Sequence, residues 1–180
     1  MNETRSNAVY LLHGKGGSPE GSVKKLEAAL IKHWPGLQYF RPLLPHHDPA
    51  VSAEESVEAL RHMEIPFGAT LVGISLGGLV ASKLQESGRP DLRVFAISSP
   101  TFADGVALES RQEHRTAIYS SKDGIISNRV SNWPALAQAY DLDWLSHNTD
   151  EHLEEIVRLF HWWLEGTLAV HALQVLPPHS

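Results

Sequence analysis

Short, unbroken apolar runs alternate along this chain with longer stretches in which apolar residues recur every three or four positions. Residues 8–12 form the first run, and it ends in His13-Gly14-Lys15-Gly16-Gly17-Ser18, the pattern of a buried strand entering a glycine-rich loop. Val23, Leu26, Leu30 and Ile31 then follow at helical spacing until Pro35-Gly36 stops them. Residues 37–40 read as a second strand and 42–49 as a proline-broken loop. Ser52 with Glu55 reads as a capping box opening a helix through Met63. The next run, 69–74, passes directly into helical character from Leu76. Further strands are expected at 93–97, 116–119 and 140–145, and helices at 131–139 and 150–164. The last helix carries Leu153, Ile156, Val157, Phe160 and Leu164 on one stripe, with Asn148 and Glu151 placed to cap it.

This alternation predicts an α/β fold with about six mostly parallel strands and helices on both faces, because parallel neighbours need crossover connections. Ligands bind beyond the carboxyl ends of such strands, so the loops starting at His13, Pro42, Ser75, Ser98, Ser120 and Ser146 should gather on one rim. A length of 180 residues, 42% of them hydrophobic, suits a single domain over 1–180, with its core at about 8–165 and 166–180 as a C-terminal extension.

Charge and composition narrow the chemistry. Lys and Arg total 15 against 21 Asp and Glu, a formal charge of -6, so neither nucleic acid nor an anionic membrane is an expected partner. No apolar run approaches the roughly 20 residues that span a bilayer, and residues 1–7 are polar, which leads to an expectation of a soluble, cytoplasmic protein. The absence of cysteine removes thiolate metal sites and a cysteine nucleophile.

Gly73-Ile74-Ser75-Leu76-Gly77 sits between the third apolar run and a helix. Chance alone would supply Gly-x-Ser-x-Gly in roughly one chain of this length in twenty, but this setting is the strained strand-to-helix turn that exposes a serine oxygen at a sheet rim. A helix starting just after Ser75 also directs free N–H groups and a positive dipole end toward an oxyanion forming there. A serine hydroxyl needs a base, and histidine, with a reference pKa of about 6.5, suits neutral pH. Of eleven histidines, His147 follows the last predicted strand directly, whereas His152 lies inside the following helix and His161 near its end. His147 is therefore the favoured base and His152 its rival. Asp123, just beyond a predicted strand, is the favoured acid to orient it; Asp104 is the weaker rival, and Asp141 and Asp143 read as edge or solvent-facing residues.

The backbone N–H groups of Leu76 and Lys15 are the expected oxyanion donors, with Gly16 as the fallback for the second. Gly14-Lys15-Gly16 lacks the spacing of a phosphate-binding loop. His46-His47-Asp48 reads as a solvated loop rather than a metal site, since adjacent histidines in an extended segment point apart. Its place after the second strand would let this loop line a substrate pocket. Neither cofactor nor metal is expected. Trp133, Trp144, Trp162 and Trp163 read as packing residues.

Through His13-Gly14, Gly73-Ile74-Ser75-Leu76-Gly77-Gly78, Asp123 and His147, the chain resembles the α/β-hydrolase superfamily over about residues 8–165. The order Ser75, Asp123, His147 is the order of that superfamily's triads. Within it the chain is most similar to the very small YqiA-type bacterial esterases, which also start at the oxyanion strand and carry a turn like Pro42-Leu43-Leu44-Pro45. One departure is Ser146, where the family often has glycine before the histidine. The resemblance implies a minimal hydrolase without a cap domain, because the insertion at 101–115 is too short to form one. It also implies a serine esterase acting on small or short-chain carboxylic esters through an acyl-enzyme. A thioesterase or amidase with the same triad, and a non-catalytic binding module, are the alternatives.

Overall fold

The computed structural model describes residues 5–172. Strand β1, Ala8–Leu12, is buried along its whole length, and its side chains divide by parity. Ala8, Tyr10 and Leu12 face one core cluster, while Val9 and Leu11 face another. The same two-sided burial recurs in β3 (Thr70–Ile74), β4 (Arg93–Ile97) and β7 (Arg115–Tyr119), whose central residues are mostly apolar. With β2 (Gln38–Phe40) and β8 (Gln138–Asp141) at the edges, they form a six-stranded sheet in the order β2-β1-β3-β4-β7-β8. Every neighbouring pair is parallel.

Helices cover both faces. α1 (Ser22–Ile31), α5 (Leu153–Glu165) and α6 (Leu168–His171) pack through Val23, Leu26, Leu30, Ile156, Phe160 and Leu168 on one side. α2 (Ala53–Arg61), α3 (Leu76–Glu86) and α4 (Trp133–Leu136) cover the other through Val57, Leu60, Leu79, Leu84 and Trp133. The chain leaves β1 toward β2 and returns to β3 on the opposite side of β1. The loops beyond β1 and β3 therefore flank the switch-point crevice in which such sheets bind ligands. α3 starts hard against the sheet at this point: a Cβ on Gly77 would run into the carbonyls of Leu12 and His13, and one on Gly78 into the side chain of Ser99.

Several elements differ from the sequence pattern. The last strand is 138–141 rather than 140–145, and the helix expected over 131–139 shrinks to α4. Leu142 and Leu145 are buried, but through a turn in which Leu145 N–H donates to the Leu142 carbonyl at 2.9 Å, so their apolar character does not mark a strand. Ser52 caps α2 through Glu54 N–H while its hydroxyl donates to the Asp104 carbonyl, which replaces the expected reciprocal box with Glu55. α2 stops at Arg61, short of Met63, and Ile31 is 41% exposed at the end of α1. A short 3-10 turn, Thr149–His152, precedes α5, and Asn148 caps it by accepting from Asp150 N–H.

The insertion at 101–115 contains a hairpin, β5 (Phe102–Ala103) and β6 (Val106–Ala107). Asp104 and Gly105 join its strands with φ of 48° and 82°, the backbone of a two-residue turn that matches strand twist. Of the predicted C-terminal extension, Leu168 is buried against the core, and 173–180 lie outside the described residues. Among the described residues no helix is long and apolar enough to cross a membrane.

Candidate active site

Ser75 occupies the junction of β3 and α3 with φ 53° and ψ -123°. A non-glycine residue held there costs on the order of 1–3 kcal/mol, which the surrounding structure must offset. The strand and helix on either side do so, and Ser75 N–H donates to the Ile97 carbonyl at 2.8 Å. The outcome is a serine hydroxyl pushed out at the sheet rim, at the N-terminus of a helix.

The loops beyond β7 and β8 meet this hydroxyl. His147 Nε2 lies 3.0 Å from Ser75 Oγ, and His147 Nδ1 lies 2.8 Å from Asp123 Oδ2. A carboxylate only accepts, so Nδ1 carries the proton and the Nε2 lone pair faces the serine hydroxyl. The Asp123 side chain is 1% exposed and its second oxygen accepts from Ile125 N–H at 3.0 Å, which fixes the carboxylate plane. The His147 side chain is 28% exposed, open to the cavity described below.

The rival residues are engaged elsewhere. His152 is buried beside Trp144, and its Nε2 accepts from Ser146 N–H at 3.1 Å, so it holds the residue next to His147 rather than Ser75. His161 pairs with Glu165 on the exposed side of α5. Asp104 pairs with Lys15 Nζ at 2.9 Å, Asp141 accepts from Ser121 N–H, and Asp143 pairs with Lys122 on the surface.

The loop after β1 lies directly beside the serine: a Cβ on Gly14 would sit 3.3 Å from Ser75 Cβ. Leu76, as the first residue of α3, has no intrahelical acceptor for its N–H, and among the described residues neither it nor Lys15 N–H meets an acceptor. Gly16, the fallback donor, is excluded because its N–H donates to the His46 carbonyl at 2.9 Å.

That bond belongs to a buried network which the sequence did not reveal. His46 is fully buried in a 3-10 turn, Pro45–His47, rather than solvated in an extended loop. Its Nε2 donates to the His13 carbonyl at 2.8 Å, while its Nδ1 accepts from the Ser56 hydroxyl at 2.8 Å. His13 Nε2 accepts from Leu44 N–H at 3.0 Å, which leaves Nδ1–H to donate to the Gly14 carbonyl at 2.8 Å. These bonds suit neutral rings. Burial lowers the pKa of His13 and pushes that of His46 down to about 4. No sequence signal marks His46 as buried, since its acceptor and donor come from distant segments.

Ser75 and His147 open into a cavity of about 590 Å³, lined also by Lys15, Pro49, Asp104, Ile125 and Arg129. Pro49 brings the loop after β2 to this wall, where the sequence pattern placed it. The pairing of the Lys15 and Asp104 side chains was not foreseen, and Arg129 was missed as a cavity residue. The Asp104-Gly105 dipeptide was the available signal for the hairpin that delivers Asp104. Among the described residues no group of three or more His, Asp or Glu is arranged to hold a metal ion.

No family model and no curated protein sequence matches the chain. Solved structures do. Alpha/beta hydrolase domain-containing protein 10 from mouse superposes with a TM-score of 0.69 at 10% identity, over 88% of this chain and 90% of that one. An α/β-hydrolase enzyme from a sediment metagenome of the Mar Chica lagoon, Morocco, gives 0.67 at 18% identity, over 90% and 92%. This chain has the α/β-hydrolase fold. A pyrethroid hydrolase from Sphingobium faniae JZ-2 shares the α/β-hydrolase architecture with a TM-score of 0.60 at 13% identity, over 88% and 96%. Within the α/β-hydrolase fold, Ser75 stands at the strand-to-helix elbow after β3, with Asp123 and His147 in the loops after the last two strands of the sheet.

Proposed function

We propose that the protein is a serine hydrolase that cleaves small or short-chain carboxylic esters through an acyl-enzyme on Ser75. One observation carries this reading: a strained, rim-exposed serine at a helix N-terminus is joined through His147 to a buried carboxylate by bonds of 3.0 and 2.8 Å.

In the proposed cycle His147 Nε2 takes the Ser75 proton as Oγ attacks the ester carbonyl, and the carbonyl π pair moves onto oxygen. Leu76 and Lys15 N–H donate to this oxyanion, and Asp123 stabilises the imidazolium. Collapse of the intermediate expels the alcohol, which receives the proton from His147. Water, deprotonated by the same imidazole, then attacks the acyl-enzyme and releases the acid, and the proton returns to Ser75. The open cavity and the small hairpin in place of a larger cover favour short acyl groups.

Labelling with a fluorophosphonate, followed by peptide mass spectrometry, tests the assignment alongside turnover of short p-nitrophenyl esters. The expected result is one adduct, on Ser75, and loss of turnover in Ser75→Ala. An adduct elsewhere, or unchanged turnover in the variant, overturns it. Matched esters, thioesters and amides then rank the leaving groups.

A further inference from the structure

We propose that Arg129 forms an anion subsite in the cavity, so that the ester substrate carries a carboxylate or similar anionic group away from the reacting carbonyl. This rests on the Ser75 hydrolase reading and names its substrate class.

Arg129 ends a 3-10 turn, Ser127–Arg129, that follows the Asp123 loop, and it lines the same cavity as Ser75 and His147. Its backbone is fixed independently of its side chain. The Arg129 carbonyl accepts from Thr101 N–H at 2.7 Å and from the Thr101 hydroxyl at 2.9 Å, and its N–H donates to Ile126. Arg129 is partly buried as a residue, and among the described residues its guanidinium makes a single, solvent-exposed hydrogen bond, from one terminal nitrogen to the Ile125 carbonyl at 3.2 Å. A guanidinium has five N–H donors in a planar fork that matches a carboxylate or phosphate, so most of this capacity is unspent.

The charges around it are already committed. Among the described residues one carboxylate lines the cavity, Asp104, and it is paired with Lys15; Asp123, buried behind the wall, is paired with His147. Among the described residues no carboxylate lies within ion-pair distance of Arg129. The protein as a whole is anionic, at -6, so a cation without a carboxylate partner in the cavity that also holds Ser75 acts locally rather than as part of a basic surface. Ile125, 64% exposed, and Ala103 give the same wall an apolar stretch. The combination fits a short apolar stem that ends in an anion. Binding energy gathered at such a remote group can be used to orient the carbonyl for attack.

The test compares kcat/KM within two ester pairs. p-Nitrophenyl hexanoate against the p-nitrophenyl monoester of adipate places the anion on the acyl side; phenyl butyrate against 4-carboxyphenyl butyrate places it on the alcohol side. The wild type should prefer the anionic member of one pair by about tenfold or more, the size expected of a charge-assisted hydrogen bond. Arg129→Gln should abolish that preference through KM, while Arg129→Lys should keep part of it. Turnover of the neutral member and fluorophosphonate labelling of Ser75 should persist in both variants. Absence of an anionic preference in both pairs, or an equal loss on both members in a variant with unchanged circular dichroism, overturns the subsite. Failure of the hydrolase reading shows separately, as no Ser75 adduct in the wild type. Adipate binding followed by NMR then still reads Arg129: loss of binding in Arg129→Gln supports the anion subsite, and equal binding overturns it.

Discussion

His46 donates from Nε2 to the carbonyl oxygen of His13 at 2.8 Å, which ties the turn after β2 to the loop beside Ser75. Both rings work as neutral groups, so folding must exclude their protons. The His46 pKa falls from 6.5 in the free side chain to about 4 in the folded protein, with burial as the main cause. Between those values the unfolded chain binds more protons than the native one, and stability falls as the pH drops. The contribution is complete above pH 6.5 and lost progressively toward pH 4. Its limit is about 3 kcal/mol at 1.36 kcal/mol per unit, and the lowered His13 pKa adds in the same direction. Urea titrations at pH 7.5 and pH 4.5 should show this decline, and His46→Gln should be less stable at pH 7.5 with a shallower pH dependence. Equal slopes in both proteins would refute the assignment.

Asp123 and His147 carry the next expectation. Asp123→Asn preserves shape but can donate to Nδ1 and favour the wrong imidazole tautomer, so kcat should fall by about 10⁴-fold. His147→Ala should be similarly damaging. His152→Ala should lower kcat far less, because His152 touches the reacting group only through Ser146. Single-turnover rates on one p-nitrophenyl ester would rank the three variants. If His152→Ala were the inactive one, the base would have to be reassigned.

Gly77 tests the packing that delivers Ser75. An added methyl group at this position meets the backbone carbonyls of Leu12 and His13, which cannot rotate away as a side chain could. Gly77→Ala should destabilise the protein by about 1–3 kcal/mol through overpacking. It should also reduce fluorophosphonate labelling of Ser75, since α3 must move away from β1. Chemical denaturation and labelling rate read the two effects.

Much of this arrangement was legible in the sequence because it depends on local pattern. Short, mostly apolar runs marked β1, β3 and β4, and the Gly-x-Ser-x-Gly segment marked the elbow between β3 and α3. Ser75, Asp123 and His147, chosen by their positions after successive strands, come within hydrogen-bonding distance. The pattern failed where burial is decided by distant partners. Leu142 and Leu145 are apolar yet lie in a turn beneath α5, so the last strand was placed too late. His46 is polar yet buried, because Ser56 and the His13 carbonyl satisfy both ring nitrogens. Arg129 joins the cavity only once the Asp123 loop has folded over the hairpin base at Thr101.

Arg115 offers a final test, of how the insertion is anchored beneath the sheet. Its guanidinium is fully buried at the start of β7 and donates to Gln85 Oε1, to the carbonyls of Ser82, Ser110 and Leu136, and to Glu86 Oε2 at 3.3 Å. Removing this cation leaves three carbonyls without their donor and the Glu86 carboxylate with Lys83 as its remaining cation among the described residues, beside the N–H groups of Glu109 and Ser110. Arg115→Ala should therefore cost about 3–5 kcal/mol, the range for breaking a buried charge pair from one side. Arg115→Ala with Glu86→Gln should cost less than the sum of the single changes, because the second change removes the stranded charge. A double-mutant cycle in urea measures the difference. Simple additivity would mean that the two act independently, Arg115 through its carbonyl partners and Glu86 through the N–H groups of Glu109 and Ser110.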